Sequence, residues 1–140
     1  MSAAGPSPSV PSHLQTFLAF DVGRKRTGVA SGNRLLAHAT PQRTIRAESS
    51  QARLQQAVAR VQEWQPHALV VGVPFHPDGA SHENTALARR FARQLGAQVP
   101  LPVYEVDERY STTEARAQGA SDPDAGAACV ILEQFLRSIG

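Results

Sequence analysis

The stretch Phe17-Leu18-Ala19-Phe20-Asp21-Val22-Gly23-Arg24-Lys25-Arg26-Thr27-Gly28-Val29-Ala30 decides the fold. An apolar run meets a single carboxylate, Asp21. A glycine follows two positions later, then three cations, then a second short apolar run. The pattern predicts a β-hairpin with a first strand over 17–21, a second over 27–31, and Gly23-Arg24-Lys25-Arg26 as its turn. The first strand has no polar face, so it belongs inside the protein. A carboxylate at the end of such a strand needs a hydrogen-bonding group, a cation or a metal beside it.

Downstream, Gly32-Asn33 is a two-residue hairpin signal leading into a third strand over about 35–45, bent near Pro41. The period then changes. Ser49-Ser50 can cap a helix whose Leu54, Ala57, Val58 and Val61 recur at three and four, ending near Trp64 before Pro66. Ala68-Leu69-Val70-Val71-Gly72-Val73 is a continuous run fit for a strand buried on both faces of a parallel sheet. After the loop Pro74-Phe75-His76-Pro77-Asp78-Gly79, a helix begins at Ser81. It carries Leu87, Ala88, Phe91, Ala92 and Leu95 on one side and closes at Gly96. A fifth strand over 103–106 ends in Asp107-Glu108-Arg109. Ser111, with Glu114 three residues on, starts another helix. The last helix spans about 122–137, with Ala128, Ile131, Leu132, Phe135 and Leu136 as its apolar stripe.

The order β-β-β-α-β-α-β-α-α predicts an α/β fold. Three antiparallel strands are extended by right-handed crossovers into a mixed five-stranded sheet with helices on both faces. Upstream, residues 1–15 are rich in Pro, Ser and Gly and are expected to form a disordered tail, leaving 16–140 as the folded domain.

A chain of 140 residues is sized for one domain with its own core. The single cysteine, Cys129, cannot form an intramolecular bridge and fits a core position in a reducing compartment. No run approaches the about 20 apolar residues of a membrane span, and no secretory leader is expected, so the reading places the protein in the cytoplasm. The net charge is +2, and of 14 basic residues only Lys25 is a lysine. Arginine forks onto phosphate as lysine cannot, but coding bias is the better explanation of the excess as a whole, leaving the clustering of cations beside carboxylates as the informative feature. The chain lacks a Walker lysine after Gly72-Val73-Pro74, a Gly-x-Ser-x-Gly elbow and any Cys/His set with zinc spacing.

Acidic groups fall at three element ends: Asp21, the pair Asp107-Glu108, and Asp124 in the first turn of the last helix. Each has a plain reading taken alone. Asp124 complements a helix dipole, Asp107-Glu108-Arg109 makes a solvated turn, and Asp21 caps the Gly23 turn. If the three ends converge, mutual repulsion calls for a divalent cation. Oxygen-only ligation suits Mg2+ or Mn2+. Neighbouring strand residues point to opposite faces, so either Asp107 or Glu108 can join Asp21. Glu108 is favoured as ligand, with Asp107 bracing the site or a loop. A metal-binding carboxylate beside Arg24-Lys25-Arg26 is what phosphodiester chemistry asks for. His76 and His82 are read as solvated loop residues.

Four motifs together resemble the YqgF/RuvX family over about residues 17–137. They are Asp21-x-Gly23-x-x-Arg26-x-Gly28-Val29-Ala30; Val71-Gly72-Val73-Pro74 with Asp78-Gly79; Asp107-Glu108-Arg109-Tyr110-Ser111-Thr112 with Glu114-Ala115; and Asp124-x-x-Ala127-Ala128-x-x-Ile131-Leu132-x-x-Phe135-Leu136. The resemblance implies an RNase H-like fold and a cytoplasmic, metal-dependent nuclease. It associates the chain with 5′ maturation of pre-16S rRNA or with Holliday junction resolution. It also implies that Asp21, Asp107-Glu108 and Asp124 are the catalytic carboxylates, with Arg26 and Arg109 beside them. Departures are Gly72-Val73-Pro74 for the usual Gly-Leu-Pro, and Glu133 for a common Gln on a face expected to be exposed.

The expected activity is hydrolysis of phosphodiester bonds, with Mg2+ or Mn2+ held by Asp21, Glu108 and Asp124. Arg24, Lys25, Arg26 and Arg109 are expected to hold the nucleic acid, whether RNA or junction DNA. The competing readings are a junction resolvase and a non-catalytic nucleic-acid-binding module. An ATP-using relative of the same architecture ranks last, because the chain is too short for paired domains. Symmetric junction cleavage would require a homodimer, to which Phe75 or Trp64 could contribute.

Overall fold

Strand β1 (Thr16–Val22) runs through the centre of the molecule and is buried on both sides. The computed structural model describes residues 10–76, 78–108 and 123–139, the side chains of Glu108 and Pro123 excepted. β1 pairs antiparallel with β2 (Arg26–Asn33), which pairs antiparallel with β3 (His38–Arg46). On its other side β1 pairs parallel with β4 (Ala68–Pro74), and β4 with β5 (Val103–Glu108). The sheet order is β3-β2-β1-β4-β5, so the mixed five-stranded sheet is as expected. The described helices are α1 (Ser50–Trp64), α2 (Thr85–Gln98) and α3 (Pro123–Ser138). The helix start expected at Ser111 lies outside the described residues.

Alternation along β1 divides the core in two. Leu18, Phe20 and Val22 pack with Val71, Ala57, Val61, Phe91 and Leu95 beneath α1 and α2. Phe17 and Ala19 pack with Ala30, Ala39, Val70, Leu132 and Phe135 beneath α3. The second layer is thin because its strands carry alanine and glycine. A Cβ on Gly32 would lie 2.6 Å from Leu132 Cδ2, so α3 sits directly on the backbone of β2.

Several local expectations are corrected. Gly32-Asn33 is not the hairpin loop, because Gly32 is held in β2 under Leu132 and the strand continues to Asn33. The loop is the next four residues, 34–37. Asn33 Oδ1 accepts from the Leu35 amide at 2.8 Å, and Ala37 takes a left-handed φ of 51°. Pro41 lies within β3 as expected, where an edge strand tolerates a missing N–H, and the register with β2 shifts just beyond it, between Gln42 and Ile45.

Ser49 caps α1 as predicted, accepting from the Ala52 amide at 3.1 Å. The buried face of α1, however, is Arg53, Ala57, Arg60 and Val61, while Leu54 and Val58 are only partly buried. Two arginines can occupy it because their apolar stems bury while the guanidinium reaches an edge. α2 begins at Thr85 rather than Ser81 and runs past Gly96. Residues 10–15 do not trail. Val10 and Leu14 pack on the α3 layer, and the Arg34 guanidinium donates to the carbonyls of Pro11 at 2.8 Å and Leu14 at 3.2 Å. Residues 1–9 of the expected tail lie outside the described residues. Glu133 is half-buried rather than exposed, its Oε2 accepting from the Ala39 amide at 3.2 Å and tying α3 to β3.

Candidate active site at the end of the central strand

Asp21 sits one residue before the end of β1, half-buried. Register places it between two glycines, Gly28 of β2 and Gly72 of β4, with Val106 of β5 next in the row. Neither glycine carries a side chain that could crowd the carboxylate. Gly28 has a second role. A Cβ there would lie 1.8 Å from the Asp124 carbonyl oxygen and 3.1 Å from the Ala125 nitrogen. The first turn of α3 therefore rests on the backbone of Asp21's immediate neighbour. This contact brings Asp21 and Asp124 to one corner of the molecule. A proline at the first position of α3 suits a helix start that needs no N–H there.

Arg26 belongs to the same corner. Its Nε lies 3.2 Å from Asp124 Oδ2, with the arginine more than half exposed and the aspartate about one-quarter exposed. The ion pair ties the start of β2 to the first turn of α3. Arg24 and Lys25 are exposed on the turn. The turn itself is pinned from behind: Arg53, a buried residue, donates from its guanidinium to the Arg24 carbonyl at 2.5 Å, and the Ala47 amide donates to the Lys25 carbonyl at 3.0 Å. Burial pulls the pKa of Arg53 below the ordinary arginine value. A side chain on Gly23 would meet the Arg26 carbonyl at 2.5 Å, so this tight turn excludes one.

The remaining acids divide by register. Asp107 is exposed opposite Val73. It alternates with Val103, which packs toward α2, and with Glu105, whose Oε1 lies 3.8 Å from Arg89 Nε. Alternation thus gives Asp107 the parity opposite to that of Asp21. Glu108 pairs with Pro74, two positions beyond the Gly72–Val106 pair, and so occupies a register position of the Asp21 parity. The Glu108 side chain and all of Arg109 lie outside the described residues. Among the described residues no three His, Cys, Asp or Glu groups gather as a metal set. Asp21 and Asp124 offer oxygen donors only, in a corner kept open by glycine, which fits a hard divalent cation.

The loop after β4 is internally tied. The Thr85 hydroxyl donates to the Pro74 carbonyl, and His82 Nδ1 accepts from the Asn84 amide at 3.0 Å. The His76 and His82 rings are 5.2 Å apart. Phe75 is covered by the Arg89 guanidinium at 5.2 Å, whereas Trp64 remains 43% exposed. Cys129 is buried in α3, and burial, aided by Glu133, pushes its thiol up to about 11.

Sequence reasoning missed Arg53 and the Gly28 contact. An isolated glycine inside an apolar strand is a signal of close backbone approach, and Gly28 carried it. Arg53 carried none, since an arginine on an amphipathic helix reads as solvated.

A sequence model of the family described as RuvX, Holliday junction resolvase, matches residues 15–138. A protein of Albidiferax ferrireducens named "Putative pre-16S rRNA nuclease" is 65% identical over 139 residues, covering 99% of this chain and 88% of its own. A protein of Polaromonas sp. bearing the same name is 64% identical over 132 residues, covering 94% and 95%. Among solved structures, T. thermophilus RuvC in complex with Holliday junction substrate superposes with a TM-score of 0.57 at 16% identity, over 90% of this chain and 96% of that one. At that identity the likeness concerns the fold, which is RNase H-like. With its four motifs in order and the match spanning nearly all of its length, the chain belongs to the RuvX (YqgF/RuvX) family.

Proposed function

We propose that this protein is a nuclease that hydrolyses phosphodiester bonds in the 5′ maturation of pre-16S rRNA, in the cytoplasm, with Mg2+ or Mn2+ held by Asp21, Asp124 and Glu108. The observation that carries the reading is the contact at Gly28, which sets the Asp124 backbone against the strand neighbour of Asp21. Such a cation, when bound, polarises a phosphoryl oxygen and lowers the pKa of water. Arg26 holds the Asp124 carboxylate in one orientation. Arg24 and Lys25 offer exposed cations to the phosphates flanking the scissile bond. Arg53 keeps that turn in place. Asp107 supports the strand end from the opposite side of the sheet.

The RuvX description and the RuvC-like fold favour a second reading, junction resolution. It requires a homodimer to present two sites to symmetric strands. A side-by-side cleavage assay with Mn2+ on precursor rRNA ends, single-stranded DNA and a four-way junction separates the two. The first reading predicts that precursor rRNA is cut fastest, and that Asp21→Asn abolishes cutting while RNA binding persists. Preferential cutting of the junction, at paired positions, would transfer the assignment to the second reading.

A further inference from the structure

A groove of about 410 Å³ runs between β3 and α1, away from the aspartates, lined by Arg43, Thr44, Arg46, Gln56, Arg60 and Glu63. We propose that this groove binds the phosphodiester backbone of the substrate strand beyond the cleavage site, a proposal that rests on the nuclease reading of the Asp21 corner.

Arg60 is the first argument. It is 7% exposed and lines the groove, yet among the described residues none accepts a hydrogen bond from its guanidinium or pairs with it. Its apolar stem is buried while its guanidinium lines the groove, where a phosphate oxygen can accept from it. The nearby charges do not neutralise that guanidinium: burial and Arg43 lower the Arg60 pKa, and Glu63 only partly offsets them. Three guanidinium groups against one carboxylate leave the groove cationic. Arg43 and Arg46 alone could be explained as charges guarding an edge strand against pairing. Arg60, on α1, has no strand edge to guard.

Position is the second argument. Arg46 is the strand partner of Arg26, which holds Asp124. From Arg46, three residues lead about 10 Å along β3 to Arg43. From Arg53, which pins the basic turn, two helical turns lead about 10 Å along α1 to Arg60. Both lines start at the acidic corner and meet in the groove, as a path for a phosphate backbone would. The Gln56 side-chain amide donates to the Arg46 carbonyl at 2.9 Å and braces this wall. The α2 arginines Arg89, Arg90 and Arg93 line a smaller groove of about 280 Å³, but among the described residues no line of cations joins it to the acidic corner, and Arg89 is engaged by Glu105 and Phe75.

The test is a salt titration of binding, by fluorescence anisotropy without divalent metal. The probes are labelled single-stranded RNAs of about 8 and about 24 nucleotides, within and beyond the span of one binding unit. Arg43→Gln/Arg46→Gln, both at exposed positions, should bind the long RNA about tenfold more weakly. The slope of log K against log salt should fall by about 1.4, or 0.7 per lost contact. The short RNA should change less than twofold. Arg90→Gln/Arg93→Gln removes the same charge from α2 and should leave the slope unchanged. An unchanged slope in the β3 variant, an equal loss in the α2 variant, or a wild-type protein that does not bind RNA would each overturn the proposal. Cleavage of the long RNA by wild type with Mn2+ reports separately on the nuclease reading, because binding without cleavage removes that reading and leaves the groove result intact.

Discussion

Gly28 and Gly96 both stand where the sheet meets a helix, on opposite faces. At Gly28 a Cβ would lie 1.8 Å from the backbone of α3. At Gly96, within α2, it would meet only Val103 Cγ2, at 3.5 Å, an ordinary contact. The first turn of α3 docks backbone to backbone, whereas α2 docks through side chains. Side chains can repack around a small change, whereas a backbone contact leaves nothing to adjust except the helix itself. The α3 layer is built from Ala19, Ala30, Ala39 and Ala68 together with Gly28 and Gly32, so α3 has one seat. That seat places Asp124. The layer of α1 and α2 is built from larger residues such as Leu18, Phe20, Ile45 and Leu95, and it supports the sheet rather than the site.

The largest expected effect follows from breaking the close contact. Gly28→Ala should destabilise the fold by about 3 kcal/mol and reduce cleavage on the order of a hundredfold through displacement of Asp124. Urea unfolding and initial rates on one RNA would measure both, and near-wild-type activity would show that the seat of α3 does not govern the site. Arg53→Met should have an intermediate effect. Loss of the bond to the Arg24 carbonyl should cost about 1–2 kcal/mol and raise KM more than it lowers kcat, since the basic turn loosens while the acids stay in place. Gly96→Ala should be the mildest change. It should stabilise the helix by about 0.5–1 kcal/mol and leave cleavage unchanged, so a loss comparable to that at Gly28 would erase the distinction between the faces.

The parts legible in the sequence were those with local cause. The apolar runs of β1 and β4 announced buried central strands, and Ser49 announced a helix start. The corner at Asp21 was legible in outline, because acids at element ends can be counted along a chain. What was not legible depends on contacts between distant segments. The alternation of Asp107 and Glu108 was visible, but only the register with Val73 and Pro74 relates each of them to Asp21. Asn33 announced a turn, yet Leu132 fixes Gly32 in the strand and moves the loop onward. Arg53 and Arg60 carry both an apolar stem and a charge, so their burial could not be read from type or spacing.

The central claim is that Asp21 and Asp124, brought to one corner by the Gly28 contact, share a divalent cation. The direct measurement is a Mn2+ titration of wild type, Asp21→Asn and Asp124→Asn, read by the electron paramagnetic resonance signal of free Mn2+. Each variant should bind Mn2+ at least about tenfold more weakly while unfolding at nearly the wild-type urea concentration. Wild-type Mn2+ affinity in either variant would contradict the claim.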